Sequence, residues 1–480
     1  MTVLWTGAEI AAATGALVAD IQVTGVSIDT RSLKPGDMFI ALQDQRDGHD
    51  FVVAALEKGA AMAVVGRAIN GVPAEKLVIV PDTLTALNQL AKAARARTQA
   101  RVIAITGSVG KTGTKDMLRT ALAAQGKVHA AEKSYNNHWG VPLTLARLPQ
   151  DADFAIIELG MNHPGEIAPL SHLSRPHVAM ITTIAAVHAA AFATVAEIAD
   201  EKATIFEGLE PGGVAVLPSD NVYFSRLLAK AQVCNAEIIT FGALDGATFY
   251  LTRAHTSAKA TVIEADGPDG AFVFKLGAPG LHVAMNALGA VAAAHAAGAD
   301  LALSALALAQ WRAPDGRGAQ YKITLGPGGI DGHLTLIDES YNANPTSMGA
   351  ALALLALSPV ENGVGRVAVG RRIAVLGDML ELGPEELDLH ASLAAHVAMG
   401  EVAKVHCIGQ RMRALFNALP VAKRGQWFED SGACAAQIGR LLDAGDVVMA
   451  KGSLGSRLAL VVDAIKKLGE CSPLNSGEGA

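Results

Sequence analysis

The sequence predicts an α/β protein of several domains built on parallel sheets, and three observations support this prediction. A chain of 480 residues is longer than one hydrophobic core usually supports, so two to four domains are expected. Apolar runs of strand length alternate with helical patterns along most of the chain. A glycine-rich stretch, 106–112, follows one of these strands and precedes a helical pattern. We therefore expect clefts between domains, where binding sites are common.

The first 82 residues are expected to form a small α/β domain. Short apolar runs predict strands at residues 25–29, 37–42, 61–65 and 77–80. One apolar helix is predicted over 51–58. A longer helix over 83–98, with Leu87 and Leu90 on one face, begins the next domain.

Residues 83–314 are expected to form a central domain with a parallel sheet. The predicted strands and the helices that follow them are 101–106 with 111–125, 154–158 with 165–174, and 177–184 with 194–208. Buried strands that alternate with helices indicate a parallel sheet. Shorter strands over 236–277 and helices over 283–297 and 301–310 complete this domain.

Residues 315–480 are expected to form a second doubly wound domain, Rossmann-like in its alternation of strands and helices. Its predicted strands are 334–338, 373–376, 404–408 and 446–450. The glycine-rich stretch 315–318 predicts a hinge in front of it.

Composition and charge exclude several classes of protein. The net charge of -7 arises from 46 acidic and 39 basic residues without a basic run, so nucleic acid is not an expected partner. No stretch of 18 apolar residues predicts a membrane span, and the N-terminus lacks the pattern of a signal peptide. The four cysteines form no C-x-x-C pair, which argues against a zinc site and a disulfide framework. We expect a cytoplasmic protein.

The stretch 106–112 predicts a loop that binds phosphate, which makes the central domain one of P-loop type. A strand, then glycines, then a helix N-terminus present backbone N–H groups to an anion, and Lys111 adds a positive charge. The Thr112 hydroxyl is a candidate ligand of Mg²⁺. The usual pattern has glycine at position 105, where this chain has Ile105. The alternative is a glycine-rich turn with a solvated lysine, but the flanking strand and helix favour phosphate.

Two further side chains are candidate metal ligands at the same sheet edge. Glu158 ends a buried apolar strand, and His188 follows the next strand after a short loop. Each also has a simpler explanation, Glu158 as a strand-end carboxylate facing water and His188 as a loop histidine bonded to backbone. Because both residues are predicted at the sheet edge that carries the phosphate loop, we favour the interpretation that both are metal ligands.

Several motifs resemble those of the Mur ligase family. Thr106 to Thr112 matches the family loop T-G-[ST]-x-G-K-[ST], in which the missing glycine is normal. Further matches occur in the family's order along the chain, at 134–144, 158–162, 280–286, 316–317 and 338–345. The resemblance implies three domains and a ligase that uses ATP to convert a carboxylate into an acyl phosphate, which an amine then attacks.

The resemblance also implies roles for individual residues. Lys111, His188 and Lys202 are the expected catalytic residues, and Lys202 is expected to be carbamylated, with an exposed helix lysine as the alternative. The expected ligands of Mg²⁺ are Thr112, Glu158 and His188. The expected ATP-binding residues are Thr106, Gly107, Ser108, Val109, Gly110, Lys111, Thr112, Asn286, Arg317 and Asp338. Two of these residues have alternatives to ATP binding: Asn286 as an ordinary helix side chain and Asp338 as a cap at a strand end.

Other residues are expected to bind the acceptor and the incoming amine. Those expected to hold a UDP-linked substrate are Ser27, Thr30, Arg31, Asn136 and Asn137. Arg31 is suited to pair with a diphosphate. Those expected to bind a dipeptide are Asn344, Lys451 and Ser453.

Two blocks, 338–348 and 376–383, resemble the family members that join D-alanyl-D-alanine to UDP-N-acetylmuramoyl-tripeptide in cytoplasmic peptidoglycan precursor synthesis. The resemblance thus implies these two substrates, ATP and Mg²⁺, and we expect a monomer. The alternatives are another Mur ligase, a folylpolyglutamate synthase of the same architecture, or an inactive nucleotide-binding scaffold. The complete set Lys111, Thr112, Glu158 and His188 argues against the last.

Overall fold

The computed structural model describes residues 2–186, 191–257 and 259–474. Its main sheets follow one another along the chain, and the α/β class expected from the sequence is confirmed. In this part of the chain, no helix has the length and apolar character that a membrane crossing requires. The predicted domain boundaries at 82/83 and 314/315 each lie between two sheets and remain proposals.

The N-terminal part contains a four-stranded parallel sheet of order β3-β4-β5-β6 and a small antiparallel pair, β1 with β2. Its elements are β1 Trp5–Thr6, α1 Gly7–Thr14, β2 Gln22–Val23, β3 Gly25–Ser27, β4 Asp37–Ile40, α2 Val52–Glu57, β5 Met62–Val65, β6 Leu77–Ile79 and α3 Thr83–Arg97. The Asp82 side chain caps α3 by accepting a hydrogen bond from the Thr85 N–H. Leu87 and Leu90 of α3 join the core of the N-terminal sheet, whereas Ala91 joins a core of the central sheet, so this helix packs against both parts of the chain.

The central part contains, in its described residues, a nine-stranded sheet of order β15-β14-β13-β12-β11-β10-β7-β9-β8. Its elements are β7 Arg101–Thr106, α4 Lys111–Leu122, β8 Val128–Ala130, α5 Gly140–Ala146, β9 Phe154–Glu158, α6 Ile167–Ser174, β10 Val178–Ile181, α7 Val195–Ala203, β11 Val214–Pro218, α8 Phe224–Val233, β12 Glu237–Gly242, β13 Phe249–Thr256, β14 Thr261–Gly267, β15 Gly270–Leu276, α9 Leu281–Ala296 and α10 Leu301–Ala307.

Strand β7 lies inside this sheet, parallel to β10 on one side and β9 on the other. Its side chains alternate between two cores, with Ile103 and Ile105 in one and Val102 and Ala104 in the other. Because both faces are covered, the strand is apolar from Val102 to Ile105. The carboxyl ends of β7, β9 and β10 therefore meet at one edge, which places Thr106, Glu158 and the chain leading towards His188 side by side.

Within the described residues, the C-terminal part contains a seven-stranded sheet of order β20-β19-β18-β21-β17-β16-β22, in which β16 runs antiparallel to the other six strands. Its elements are β16 Ala319–Leu325, β17 His333–Glu339, α11 Pro345–Leu357, β18 Arg372–Gly377, α12 Glu386–Ser392, β19 Lys404–Ile408, α13 Met412–Ala418, β20 Arg424–Phe428, α14 Ser431–Ala435, α15 Ile438–Leu441, β21 Val447–Lys451, α16 Ala459–Lys466 and β22 Gly469–Pro473.

Candidate active site

The loop between β7 and α4 has the backbone geometry that the phosphate-binding prediction requires. Gly107 and Gly110 have φ angles of 148° and 88°, which other residues rarely adopt. A Cβ atom at Gly107 would lie 1.9 Å from Thr182 Oγ1, and one at Gly110 would lie 2.5 Å from Asn286 Nδ2. The loop is fixed to the neighbouring strand end because Thr182 Oγ1 donates to the Val109 carbonyl over 2.6 Å. Only glycine fits at these two positions.

Lys111 begins helix α4 and folds back along the loop. Its Nζ donates to the Gly107 carbonyl over 2.7 Å, so the ammonium group lies beside the loop backbone. Burial lowers the pKa of Lys111 from its ordinary value, the charge of Glu158 opposes this, and the charge of Arg317 adds to it. A partly desolvated cation beside the loop amides is well placed to interact with a phosphate.

Thr112 and Glu158 form the centre of a polar cluster beside the loop. Thr112 Oγ1 lies 2.9 Å from Glu158 Oε2 and 2.8 Å from Ser134 Oγ. Asn136 Nδ2 donates to Glu158 Oε1 over 2.8 Å. The Glu158 side chain is only 2% exposed, so these contacts replace water around its carboxylate.

This cluster fits a magnesium ion. Hydroxyl and carboxylate oxygens are the ligands that Mg²⁺ prefers, and the ion usually takes one or two carboxylates together with substrate phosphates and water. Within residues 2–186, 191–257 and 259–474, no group of three or more His, Cys, Asp or Glu side chains is arranged to hold a metal by itself. A metal at Thr112 and Glu158 would thus depend on phosphate oxygens. His188, the other predicted ligand, lies outside the described residues.

Lys202 is buried, which contradicts the alternative that it is an exposed helix lysine. The residue is 1% exposed and lies near the end of α7. Burial lowers its pKa well below the ordinary value, and the nearby charge of Lys111 lowers it further, against the opposing effect of Glu201. The neutral amine that carbamylation requires is therefore favoured at Lys202.

The loop opens into a cleft of about 540 Å³ between the central and C-terminal sheets. The predicted residues that line it are Ser108, Val109, Gly110, Lys111, Thr112, Asn136, Asn137, Glu158, Asn286, Arg317, Asn344 and Lys451. Three lining residues that the sequence analysis did not single out are Ser134, Asn221 and Tyr341. Ser134 and Tyr341 belong to the matched motifs 134–144 and 338–345, and this membership was the available sequence signal.

The predicted hinge connects the two sides of this cleft. Arg317 Nη2 donates to Ser134 Oγ over 3.0 Å, and its guanidinium lies 4.1 Å from the centre of the Tyr341 ring. Asp338 accepts hydrogen bonds from the Gly316 N–H and from Ser340 Oγ, and it is not among the described residues that line the cleft. Arg317 therefore reaches Ser134, which in turn contacts Thr112, whereas Asp338 fixes the backbone of the hinge.

The residues predicted to bind the UDP-linked substrate fall into two groups. Arg31 is exposed and forms a bidentate pair with Asp29, whose pKa this contact lowers. Ser27 Oγ donates to the Asp29 carbonyl, and the Thr30 carbonyl accepts from Lys58 Nζ. Ser27, Thr30 and Arg31 lie in the N-terminal part and not among the described lining residues of the cleft, unlike Asn136 and Asn137.

The three residues predicted to bind the dipeptide lie at the carboxyl ends of β17 and β21 or just beyond. Lys451 Nζ donates to Glu339 Oε2 and to the Asn342 carbonyl, each over 3.0 Å. Asn344 caps α11 by accepting from the Ser347 N–H, and Ser453 Oγ donates to the Ala343 carbonyl over 3.3 Å. Lys451 and Asn344 line the cleft on the side opposite the phosphate loop. Ser453 is bonded to Ala343, in the segment that connects β17 to α11.

A glycine loop, a lysine and a carboxylate at one edge of a parallel sheet define a class of enzymes that transfer phosphoryl groups from nucleotides. Comparison with family descriptions narrows this class. The Mur ligase middle domain matches residues 105–294, the glutamate ligase domain of Mur ligases matches 328–454, and the catalytic domain of the Mur ligase family matches 22–95. The chain belongs to the Mur ligase family.

Individual relatives share one name. The UDP-N-acetylmuramoyl-tripeptide–D-alanyl-D-alanine ligase of Escherichia coli K12 is 35% identical, over 94% of this chain and 96% of the relative. The ligase of the same name from Bacillus subtilis is 36% identical over 81% and 80% of the two chains. A crystal structure of MurF from Acinetobacter baumannii matches with a TM-score of 0.81 at 28% identity, over 96% of this chain and 99% of the other.

Proposed function

We propose that this protein is an ATP-dependent amide ligase that joins D-alanyl-D-alanine to UDP-N-acetylmuramoyl-tripeptide in peptidoglycan precursor synthesis. Family membership and the shared name of the relatives support this function. One observation in the structure carries it. Lys111, Thr112 and Glu158 converge beside a glycine loop at the floor of a cleft whose other wall presents Lys451 and Asn344.

The proposed reaction has two steps, and the groups at the loop stabilise the negative charge on the phosphoryl group that is transferred. An oxygen of the peptide carboxylate attacks the γ-phosphorus of ATP, ADP leaves, and an acyl phosphate forms. The dipeptide amine then attacks the acyl carbon, phosphate leaves, and an amide remains. Lys111 and the loop N–H groups stabilise negative charge on the transferred phosphoryl group. Mg²⁺ held by Thr112 and Glu158 would supply further neutralisation of phosphate charge.

We also propose that Lys202 carries a carbamate and that His188 joins the catalytic residues. Support for the carbamate comes from the burial of Lys202 and its lowered pKa, because CO₂ reacts with the neutral amine. The carbamate is an anion, so it would attract the nearby Lys111 ammonium group, which a protonated Lys202 would repel. Its two oxygen atoms would be suited to hold a divalent metal ion.

The substrates are proposed to approach the loop from different parts of the chain. ATP binds at the loop, with Asn286, Arg317 and Asp338 as further contacts. The UDP-linked substrate extends from Ser27, Thr30 and Arg31 to Asn136 and Asn137. The dipeptide binds at Lys451, Ser453 and Asn344. The active species is proposed to be a cytoplasmic monomer.

Phosphate release from ATP tests this function directly. The purified protein is assayed with UDP-muramoyl tripeptides that carry diaminopimelate or lysine as third residue, each with and without D-alanyl-D-alanine. We expect phosphate release only when tripeptide and dipeptide are both present. Release that depends on a monoglutamyl folate instead would identify a folylpolyglutamate synthase. No release with any of these acceptors would favour an inactive scaffold.

A further inference from the structure

Lys115 is a completely buried lysine that the chemistry above does not use. It lies in α4, one turn beyond Lys111, with 0% of its surface exposed. Its Nζ donates to the Ala131 carbonyl over 2.6 Å and lies 3.4 Å from the Lys133 carbonyl. A buried ammonium group is costly unless it is paired, and Asp116 Oδ1 also lies 3.7 Å from Nζ. The two carbonyl contacts tie the 131–133 backbone to α4.

The segment that Lys115 holds, residues 131–137, is here called the bridge segment. Its Ser134 contacts both Thr112 and Arg317, and its Asn136 donates to Glu158. The Asn136 carbonyl also accepts from the Gly160 N–H over 2.7 Å. The bridge segment thus supplies protein partners to both residues that fit the metal.

The same segment contacts the N-terminal part of the chain. Tyr135 packs against the core of the N-terminal sheet and lies 5.9 Å from the guanidinium of Arg147, which donates to the Val26 carbonyl. The charge of Lys133 contributes to the lowered pKa of Asp29, the partner of Arg31. The bridge segment therefore lies between the predicted UDP-substrate residues and the phosphate loop.

We propose that Lys115 is a positioning residue that fixes the bridge segment to the helix following the phosphate loop. Through this contact it sets the place of Asn136 and Ser134 relative to Glu158 and Thr112, and so couples acceptor binding to the metal and phosphate site. The kinetic part of this inference rests on the proposed function. Residues that orient metal ligands typically change metal affinity or activity about 10- to 100-fold when removed.

Lys115→Met tests the proposal because it keeps the apolar stem and removes the donor. Hydrogen exchange, measured without substrates, is expected to become at least about tenfold faster in the bridge segment and to stay unchanged in α3. The KM for UDP-tripeptide and the Mg²⁺ concentration for half-maximal activity are expected to rise about tenfold each. ADP affinity measured in EDTA is expected to change less than about threefold, because the loop amides and Lys111 remain.

Two comparison variants sharpen the test. Arg119→Met removes an exposed cation from the same helix and is expected to match the wild type in all of these measurements. Lys115→Arg retains donors and is expected to recover a substantial part of the acceptor KM. Unchanged hydrogen exchange in Lys115→Met, or a fall in kcat with every KM unchanged, would overturn the proposal.

If Lys115→Met does not fold, a variant that keeps Lys115 tests the proposed link between the bridge segment and the metal site. Ser134→Ala combined with Asn136→Ala separates the bridge segment from Thr112 and Glu158, so the Mg²⁺ requirement is expected to rise about tenfold. An unchanged requirement contradicts the proposal. Absence of ligase activity in the wild type would instead contradict the proposed function, while the hydrogen-exchange comparison would still test the role of Lys115.

Discussion

At the scale of single residues, the sequence located the groups of the phosphate site but not the contacts among them. Lys111, Thr112 and Glu158 were predicted from a loop pattern and a strand end, and they lie together. Ser134 and Lys115 were not predicted as site residues, because their importance arises from contacts across 22 and 16 residues of chain. Such contacts leave no periodic signal in a sequence.

Lys111→Ala is expected to reduce ligation about a hundredfold or more, because it removes a charge that stabilises the transferred phosphoryl group. Steady-state phosphate release measures the loss, and the unfolding midpoint is expected to stay near that of the wild type. Lys92→Ala, at an exposed position of α3, is the matched control. Full activity in Lys111→Ala would exclude the proposed role.

Lys202 is expected to give a carbamate signal in carbon-13 NMR when the protein is supplied with labelled bicarbonate. Only the neutral amine reacts, so the signal should weaken as the pH falls through the lowered pKa of Lys202. Lys202→Met should abolish the signal, whereas Lys92→Met should retain it. A signal that survives Lys202→Met would place the carbamate elsewhere.

At the scale of elements, three parallel strands were predicted with accurate bounds, whereas strands were missed both inside and at the edges of the sheets, such as the buried interior strand β11 and the edge strand β22. The bounds of β7, β9 and β19 match the predicted strands, because short, mostly apolar runs mark them. Strands β16 and β22 were not predicted. They pair with each other at one edge of the C-terminal sheet, where partly exposed residues weaken the pattern.

Gly107→Ala is expected to destabilise the protein by about 1–3 kcal/mol and to abolish nucleotide binding. The added Cβ would collide with Thr182 at a backbone φ of 148°, so the loop has to move. Gly400→Ala, where a Cβ meets nothing within 4 Å and φ is not positive, is the control. Chemical denaturation and ADP titration measure the two effects, and an unchanged ADP affinity would contradict this description of the loop.

At the scale of the whole molecule, three sheets bring residues from distant parts of the chain to one cleft. The sequence indicated their order but not how they face one another, because the contact of Arg317 with Ser134 joins positions 183 residues apart. The family motifs at 134–144 and 316–317 include both residues but do not indicate that they are in contact. In the predicted hinge at 315–318, the Gly316 N–H donates a hydrogen bond to Asp338 Oδ2 of the C-terminal sheet.

Binding of ATP and both substrates is expected to bring the C-terminal sheet closer to the loop, since the cleft separates the residues that must meet during transfer. Small-angle X-ray scattering is expected to show a smaller radius of gyration with all ligands than with none. Nucleotide alone should produce a smaller change. Identical scattering profiles with and without all ligands would argue against closure.

The central claim is that the peptide carboxylate receives the phosphoryl group. Labelling that carboxylate with oxygen-18 and analysing the released phosphate by mass spectrometry tests it most directly. An acyl phosphate predicts one oxygen-18 atom in each phosphate released, since the attacking oxygen leaves with phosphorus when the amine displaces it. Unlabelled phosphate, released in step with amide formation, would contradict the claim.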